Sequence, residues 1–243
     1  MRIVCVIPAR LGASRLPDKP LQLLLEEPLI AHVARRVVGW DFVDRTVVAA
    51  DDRRVVEAVS HLPVEGVLTP SALESGTARV AHVMRTEPHR EDTVVLNVQG
   101  DEPFLPVAAA LGAVAAVRAG AGIGTAAAPL EPGDGDDSNV VKVRVRDGRA
   151  TAFARTMPGG DGAGVFRHLG VYAFGPGVLT QWMDAPPVPE EIEHRLEQLR
   201  PLALGIPIGV ATIETPAPPA VDTAADLARA TAYLHRLVDE VRA

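Results

Sequence analysis

A short loop near the amino terminus contains several side chains of the types that commonly bind phosphate. They follow an apolar run, residues 3–7, and are Arg10, Ser14, Arg15 and Lys19. Three cations on one short segment repel one another unless an anion lies among them, and a triphosphate supplies several charges and many acceptor oxygens. The loop therefore predicts a polyphosphate site, although a solvated basic turn would have the same composition.

Lysine is rare in this chain. Lys19 and Lys142 are the only lysines among 24 lysine and arginine residues. A lysine kept in the loop indicates a compact point charge that the broad guanidinium fork would not replace. We therefore interpret Lys19 as a direct phosphate contact.

A carboxylate, Asp101, follows a second apolar run at 93–98. In open parallel sheets, ligands bind beyond the carboxyl ends of the strands, so we expect Asp101 at the same edge as the loop that carries Lys19. Magnesium prefers one or two carboxylates together with phosphate oxygens. The two segments together predict a Mg²⁺–triphosphate site, whereas Gly-Asp-Glu-Pro alone would more simply be a turn.

These segments lie in a chain whose periodicity alternates between strands and helices. The apolar runs that predict strands are 2–7, 46–50, 66–68, 93–98 and 122–128. Helical spacing lies between them, around 29–37, 55–59, 76–86 and 106–118. The pattern predicts an α/β fold: a Rossmann-like, mostly parallel sheet with helices on both faces.

The second half of the chain has a different pattern of apolar residues. Apolar residues alternate over 140–145, Asp147-Gly148 predicts a tight turn, and 151–154 reads as the returning strand. Further along, the sequence predicts a Gly-rich loop at 158–164, a strand at 167–174, an amphipathic helix at 189–200 on Ile192, Leu196 and Leu199, and a closing helix at 223–241. We expect one domain, 1–243, with an inserted subregion at about 130–185.

Composition excludes several classes of protein. With 47% hydrophobic residues, 23% charged residues and a net charge of −7, the chain is typical of a globular protein whose main partner is neither nucleic acid nor membrane. Its single cysteine, Cys5, supports no disulfide framework, so we expect a cytoplasmic location. Neither Gly-x-Gly-x-x-Gly after the first strand nor Gly-x4-Gly-Lys-Ser/Thr is present, which disfavours dehydrogenases and P-loop kinases.

Several motifs together resemble the CTP-dependent sugar-acid cytidylyltransferases, above all the branch that acts on 3-deoxy-manno-octulosonate (Kdo). In chain order they are Ile7-Pro8-Ala9-Arg10, Ser14-Arg15-Leu16-Pro17, Lys19-Pro20-Leu21, Glu74-Ser75-Gly76-Thr77 with Arg79, Asn97-Val98-Gln99-Gly100-Asp101-Glu102-Pro103, Asn139-Val140-Val141-Lys142-Val143, Arg167-His168-Leu169-Gly170-Val171-Tyr172, Leu196-Glu197-Gln198-Leu199-Arg200 and Val221-Asp222-Thr223. The fold this implies is that of the nucleotide-diphospho-sugar transferases, with the inserted hairpin pairing two subunits into a homodimer.

The resemblance also implies roles for individual residues. The residues that would bind the CTP phosphates are Arg10, Ser14, Arg15 and Lys19. The catalytic residues would be Lys19, Arg10 and Asp101. Cytosine would be selected by Ser75, Gly76 and Arg79 with the backbone of Pro8 and Ala9, and Mg²⁺ would be bound by Asp101 and Asp222. The acceptor side would comprise Gln99, Arg155, His168, Tyr172, Glu197 and Gln198.

Some of these residues have simpler interpretations. On sequence alone, His168 is somewhat better explained by packing within a strand, and Glu197 could lie on an exposed helix face. Asp222 before Thr223 is equally suited to cap the closing helix.

The chain departs from the family pattern around the acceptor motifs. Where the family usually has Asp-His-x-Ser-Gly-Thr-Asp/Glu-Arg, this chain has Ala72-Leu73-Glu74-Ser75-Gly76-Thr77-Ala78-Arg79. The segment after Arg155 is also short and Gly-rich. We therefore expect a small acidic acceptor, a phosphonate such as phosphonoformate, with Kdo as the alternative. A non-catalytic CTP-binding sensor is a hypothesis of another class.

Overall fold

The computed structural model describes residues 1–12, 15–86, 90–157 and 164–242. Its contacts divide the chain into two compact units: unit 1 is Met1–Arg90, Asn97–Leu105 and Pro218–Ala243, and unit 2 is Glu91–Leu96 and Pro106–Ala217. Ser14 and most of the loop predicted at 158–164 lie outside the described residues. The single domain with a subregion at about 130–185 stays a prediction.

Strands and helices alternate through the first half of the chain, as predicted. The strands are β1 (Ile3–Ala9), β2 (Leu23–Leu24), β3 (Glu27–Pro28), β4 (Arg45–Ala50), β5 (Glu65–Leu68), β6 (Val94–Val98), β7 (Ile123–Ala128), β8 (Lys142–Arg146), β9 (Arg149–Ala154), β10 (Val165–Phe174) and β11 (Ile208–Thr212). The α-helices are α1 (Leu29–Val38), α2 (Arg53–Ala58), α3 (Gly76–Thr86), α4 (Val107–Arg118), α5 (Val178–Asp184), α6 (Pro189–His194), α7 (Leu199–Ala203) and α8 (Ala224–Arg242).

Unit 1 is built on parallel strands. β1 pairs with β4, and β4 pairs with β5, each in parallel. Every residue of β1 is buried, which explains its continuous apolar run. Because Ala9 and Ala50 are opposite each other in the register, the loops that follow β1 and β4 begin side by side at one edge.

The closing helix α8 holds the amino-terminal loop of unit 1 in place. Leu16, which lies within that loop, is buried in one cluster with Phe104 and Val221, against which Tyr233 of α8 packs. The rings of Phe104 and Tyr233 have centroids 4.7 Å apart. Burial of a leucine-sized side chain contributes roughly 1.5–3 kcal/mol to the free energy of folding. The buried Leu16 therefore fixes the loop to the core at a point between Arg15 and Lys19.

Unit 2 contains the predicted hairpin. β8 and β9 pair antiparallel around Asp147 and Gly148, whose φ angles of 50° and 71° are those of a tight hairpin turn. β7 pairs antiparallel with β10 and parallel with β11. The mixed α/β architecture with parallel strands at its core is confirmed.

The helix predicted at 189–200 is wrong as a single element. It is two short helices, α6 and α7, separated at Arg195, which has a left-handed backbone with φ of 52°. Leu196 is buried, but Ile192 is 67% exposed and does not share its face. Within the described residues, no helix is long and apolar enough to cross a membrane.

Candidate active site

Lys19 lies in a rigid turn of unit 1. The 3-10 helix Lys19–Leu21 starts after Asp18, whose backbone is left-handed with φ of 49°, and its second residue is the buried Pro20. The Leu21 amide donates to the Asp18 carbonyl at 2.8 Å. Proline fixes its own φ angle and restricts the residue before it, so the backbone at Lys19 has little conformational freedom.

The Lys19 ammonium joins two carboxylates. Its Nζ donates to Asp101 Oδ2 at 2.5 Å and to Asp222 Oδ1 at 3.0 Å. Arg15 Nη2 lies 3.3 Å from the other oxygen of Asp222. Burial lowers the pKa of Lys19, but the two carboxylates raise it by more, so the ammonium stays charged. Two of the predicted phosphate residues, Arg15 and Lys19, therefore meet both predicted metal residues in one cluster.

Backbone contacts bring the two carboxylates together. The Val221 amide donates to the Asp101 carbonyl at 2.9 Å, which links the segment before α8 to the turn after β6. In that turn, a Cβ on Gly100 would lie 2.6 Å from the Pro8 carbonyl oxygen, so only glycine allows this approach to the end of β1.

The suggestion that Asp222 caps α8 is wrong. Thr223 Oγ1 accepts from the Asp226 amide at 3.2 Å, and Asp226 Oδ2 accepts from the Thr223 amide at 2.8 Å. This reciprocal capping box makes Thr223 the cap. The Asp222 carboxylate is thereby left to contact Lys19 and Arg15.

Asp101 and Asp222 carry the oxygen donors that a magnesium site completed by phosphate would use. Both carboxylates already contact a single cationic nitrogen, and their hard oxygen donors are those that Mg²⁺ prefers. No group of three or more His, Cys, Asp or Glu side chains among the described residues is arranged to hold a metal ion. A metal here would therefore take its remaining ligands from phosphate oxygens and water.

The start of α3 lies against the end of β1. Ser75 Oγ accepts from the Ala78 amide at 3.1 Å, so Ser75 caps the helix. A Cβ on Gly76 would lie 3.2 Å from both Gln99 Oε1 and Pro8 Cγ, which places three predicted site residues in contact. Arg10 Nη1 donates to the carbonyl of Glu74 at 3.1 Å and reaches the same loop.

Arg79 donates hydrogen bonds to the loop before α3. Its buried guanidinium donates to the Thr69 hydroxyl, and to the carbonyls of Pro70 and Leu73 at 3.3 and 3.4 Å. Asp51 Oδ2 lies 3.7 Å away, and Oδ1 of the same carboxylate accepts from the Leu11 amide at 3.1 Å. The structure therefore engages Arg79 with protein groups, as a support for Ser75 and Gly76.

Asp51 is a residue of this site that sequence reasoning missed. It joins the loop after β1, through Leu11, to the loop before α3, through Arg79. The available signal was its position directly after β4, because Ala50 and Ala9 end their parallel strands side by side.

Unit 2 brings His168 and Tyr172 together on β10. Their ring centroids are 5.3 Å apart, and Phe153 packs edge-on against His168 at the same distance. Burial lowers the pKa of His168 to about 4. Burial also raises the pKa of Tyr172, with a further contribution from Glu197. His168 is therefore neutral at pH 7 and offers no positive charge to an acidic acceptor.

The other predicted acceptor residues of unit 2 lie around the break between α6 and α7. Arg155 donates to the carbonyls of His194 and Arg195 at 3.4 and 3.5 Å, and to the carbonyl of Ser138 at 3.0 Å. Gln198 is 6% exposed and Glu197 is half-buried. Gln99, the remaining acceptor candidate, belongs to unit 1.

Comparison with known proteins identifies the family of this chain. The cytidylyltransferase profile matches residues 4–206. The chain belongs to the cytidylyltransferase family. It is 43% identical over 244 residues to the 3-deoxy-manno-octulosonate cytidylyltransferase of Gemmatimonas aurantiaca, covering 96% of this chain and 94% of that protein. Identity to the enzyme of the same name from Methylococcus capsulatus is 44% over 247 residues, covering 94% and 95%.

A solved structure extends the match to the fold. CMP:2-keto-3-deoxy-manno-octonic acid synthetase complexed with CTP superposes with a TM-score of 0.87 at 32% identity, covering 97% of this chain and 99% of that one. The predicted nucleotide-diphospho-sugar transferase fold is confirmed. This cytidylyltransferase is a CTP-dependent nucleotidyltransferase, which favours the enzyme over the sensor hypothesis.

Proposed function

We propose that this cytidylyltransferase transfers CMP from CTP to a 3-deoxy sugar acid of the Kdo type and releases pyrophosphate. Both relatives described above carry the name of that activity and align over more than nine-tenths of their length. The acidic acceptor and CTP are then the two substrates, and no nucleic acid or membrane partner is needed.

The reaction exchanges one phosphorus–oxygen bond for another. An acceptor hydroxyl oxygen attacks the α-phosphorus of CTP in line with the departing pyrophosphate; the new ester bond forms as the bridging bond breaks, and the hydroxyl proton passes to solvent. Positioning and charge neutralisation carry most of the catalysis. Arg10, Arg15 and Lys19 bind the triphosphate and offset the charge that develops on the leaving group.

A divalent cation completes the proposed site. Mg²⁺, held by Asp101 and Asp222, would withdraw charge from the phosphate oxygens and lower the pKa of a coordinated hydroxyl. The cytosine base of CTP is bound by Ser75, Gly76 and the backbone near Pro8. Because this base site can hydrogen-bond the exocyclic amine of cytosine, it discriminates against bases that present a carbonyl.

The observation that carries the acceptor assignment is the identity of 43% and 44% to relatives that are named for 3-deoxy-manno-octulosonate. The surroundings of His168 agree with it. With a pKa of about 4, this imidazole can accept a hydrogen bond from a sugar hydroxyl, but it adds no charge to hold a small dianion. A phosphonate such as phosphonoformate would rely on electrostatic attraction from this side chain and from Arg155. The polyhydroxylated acid is the better match to the chemistry of unit 2.

The altered motif at 72–79 keeps backbone hydrogen bonds at both substituted positions. Leu73 offers its carbonyl to Arg79, and the Ala78 amide donates to the Ser75 hydroxyl. These bonds use the backbone atoms of positions 73 and 78, so the loss of the usual polar side chains there leaves the support of Ser75 and Gly76 in place.

A mixed-acceptor assay tests the proposal. We expect CMP-Kdo to dominate when Kdo and phosphonoformate compete at equal concentration for CTP and Mg²⁺, with products identified by mass. An unmatched buried hydroxyl costs about 1–3 kcal/mol, so a site that matches those hydroxyls should favour Kdo by at least about five-fold. Predominant CMP-phosphonoformate would reverse the assignment, and no product with either acid would refute both.

Assembly gives a separate prediction. We propose that the β8–β9 hairpin and β10 form part of the contact between two subunits of a homodimer with two-fold symmetry. Light scattering at micromolar concentration should therefore give twice the mass of the 25.6 kDa chain. A fully active species with the mass of one chain would contradict it.

A further inference from the structure

We infer that Thr125 is a positioning residue, whose hydroxyl holds His168 in the neutral form protonated on Nε2, so that Nδ1 is left to accept a hydrogen bond from the acceptor. The tautomer follows from contacts within unit 2 alone. Only the role toward the acceptor rests on the proposed function.

Thr125 is the polar exception in a buried apolar strand. β7 reads Ile-Gly-Thr-Ala-Ala-Ala, and all its residues are buried, with Thr125 at 0% exposure. A buried hydroxyl without partners is strongly unfavourable, so such groups are nearly always hydrogen-bonded. Thr125 Oγ1 donates to the Val171 carbonyl at 2.7 Å and lies 2.9 Å from His168 Nε2.

The direction of both hydrogen bonds follows from counting protons. A hydroxyl has one hydrogen, and a carbonyl oxygen can only accept, so the Thr125 hydrogen is used on Val171. The contact with His168 then requires Nε2 to donate. Because burial keeps His168 neutral at pH 7, its single ring proton is on Nε2 and Nδ1 retains a free lone pair.

The strand pairing makes this contact a consequence of the fold. β10 is irregular between Leu169 and Tyr172, so that His168 is opposite Ala127 and Tyr172 is opposite Thr125. Val171, within the irregular segment, directs its carbonyl to Thr125. The hydroxyl therefore joins the bulge to the imidazole, and a structural role in the bulge must be separated from the role toward His168.

Nitrogen NMR of histidine-labelled protein separates the two roles. We expect the His168 resonances, assigned by their loss in His168→Gln, to report the Nε2–H tautomer at pH 7 in the parent protein and in Thr125→Ser. Thr125→Val should shift His168 toward a mixture of tautomers. Thr93→Val is the matched control, because Thr93 is a buried threonine of unit 2 whose hydroxyl has no hydrogen-bond partner among the described residues.

Kinetics then test the link to the acceptor. Thr125→Val should raise KM for the sugar acid by about ten-fold and leave KM for CTP within about two-fold, while Thr125→Ser and Thr93→Val behave as the parent. An Nδ1–H tautomer in the parent, or an unchanged tautomer in Thr125→Val, would overturn the inference. A shifted tautomer with unchanged acceptor KM would overturn only the role toward the acceptor, and failure of every variant to use Kdo would reject the proposed function while leaving the tautomer result intact.

Discussion

Asp101→Asn should fold as the parent chain does and lose turnover by roughly 100-fold or more. Asparagine has nearly the shape of aspartate but lacks its negative charge. The Asp101 carboxylate is the proposed metal ligand, and its Oδ2 lies 2.5 Å from Lys19 Nζ. Asp222 still pairs with Lys19 and Arg15, so the cluster retains a carboxylate. Initial rates of pyrophosphate release, with the melting temperature measured beside them, give both quantities.

Asp18→Asn is the matched control for this change. Asp18 is the neighbour of Lys19 in sequence, but its half-exposed carboxylate reaches Arg54 at 3.9 Å. Asparagine also tolerates the left-handed backbone at this position. We expect turnover close to that of the parent chain. Near-parental turnover in Asp101→Asn would remove Asp101 from the mechanism.

The meeting of Lys19 and Asp101 could be predicted because it depends on the sheet. Apolar runs predicted β1 and β6, and the carboxyl ends of parallel strands share an edge, so polar residues just after them converge without knowledge of any side-chain contact. The same rule applies to Asp51 after β4, which went unrecognised because a single carboxylate at a strand end has no distinctive spacing.

The break between α6 and α7 could not be read from periodicity. Ile192, Leu196 and Leu199 have helical spacing, and no proline or glycine interrupts 190–200. The structure instead pairs Glu191 with Nε and Nη2 of Arg200. A continuous helix would forbid this ion pair, because residues nine apart are separated by about 13.5 Å along the axis.

Tertiary contacts also stabilise the helix end that this break creates. Arg155 donates to the last carbonyls of α6 at His194 and to that of Arg195, groups that a helix leaves without partners at its end. These bonds come from a residue some 40 positions away in sequence. Contacts between distant segments are invisible to a local pattern, which is also why the partnership of Thr125 with His168 emerged only from the structure.

Lys19→Met should have the second large effect, both on turnover and on the protein's response to magnesium. Removing the ammonium leaves Asp101 and Asp222 facing each other without the cation that joins them, and like charges at that separation repel. Turnover should fall by about 10²–10³-fold, because Lys19 is also the proposed contact of the triphosphate.

The readout specific to this arrangement is thermal. Mg²⁺ without CTP should raise the melting temperature of Lys19→Met by several degrees, since about 1 kcal/mol corresponds to about 2–4 °C in a chain of this size. In the parent protein the ammonium competes for the same carboxylates, so Mg²⁺ alone should shift the melting temperature much less. Lys19→Arg should restore the parent's weak response to Mg²⁺ without restoring turnover, because a guanidinium supplies the charge but not the compact geometry of an ammonium. Equal magnesium shifts in the parent protein and Lys19→Met would show that Lys19 and the metal do not share these carboxylates.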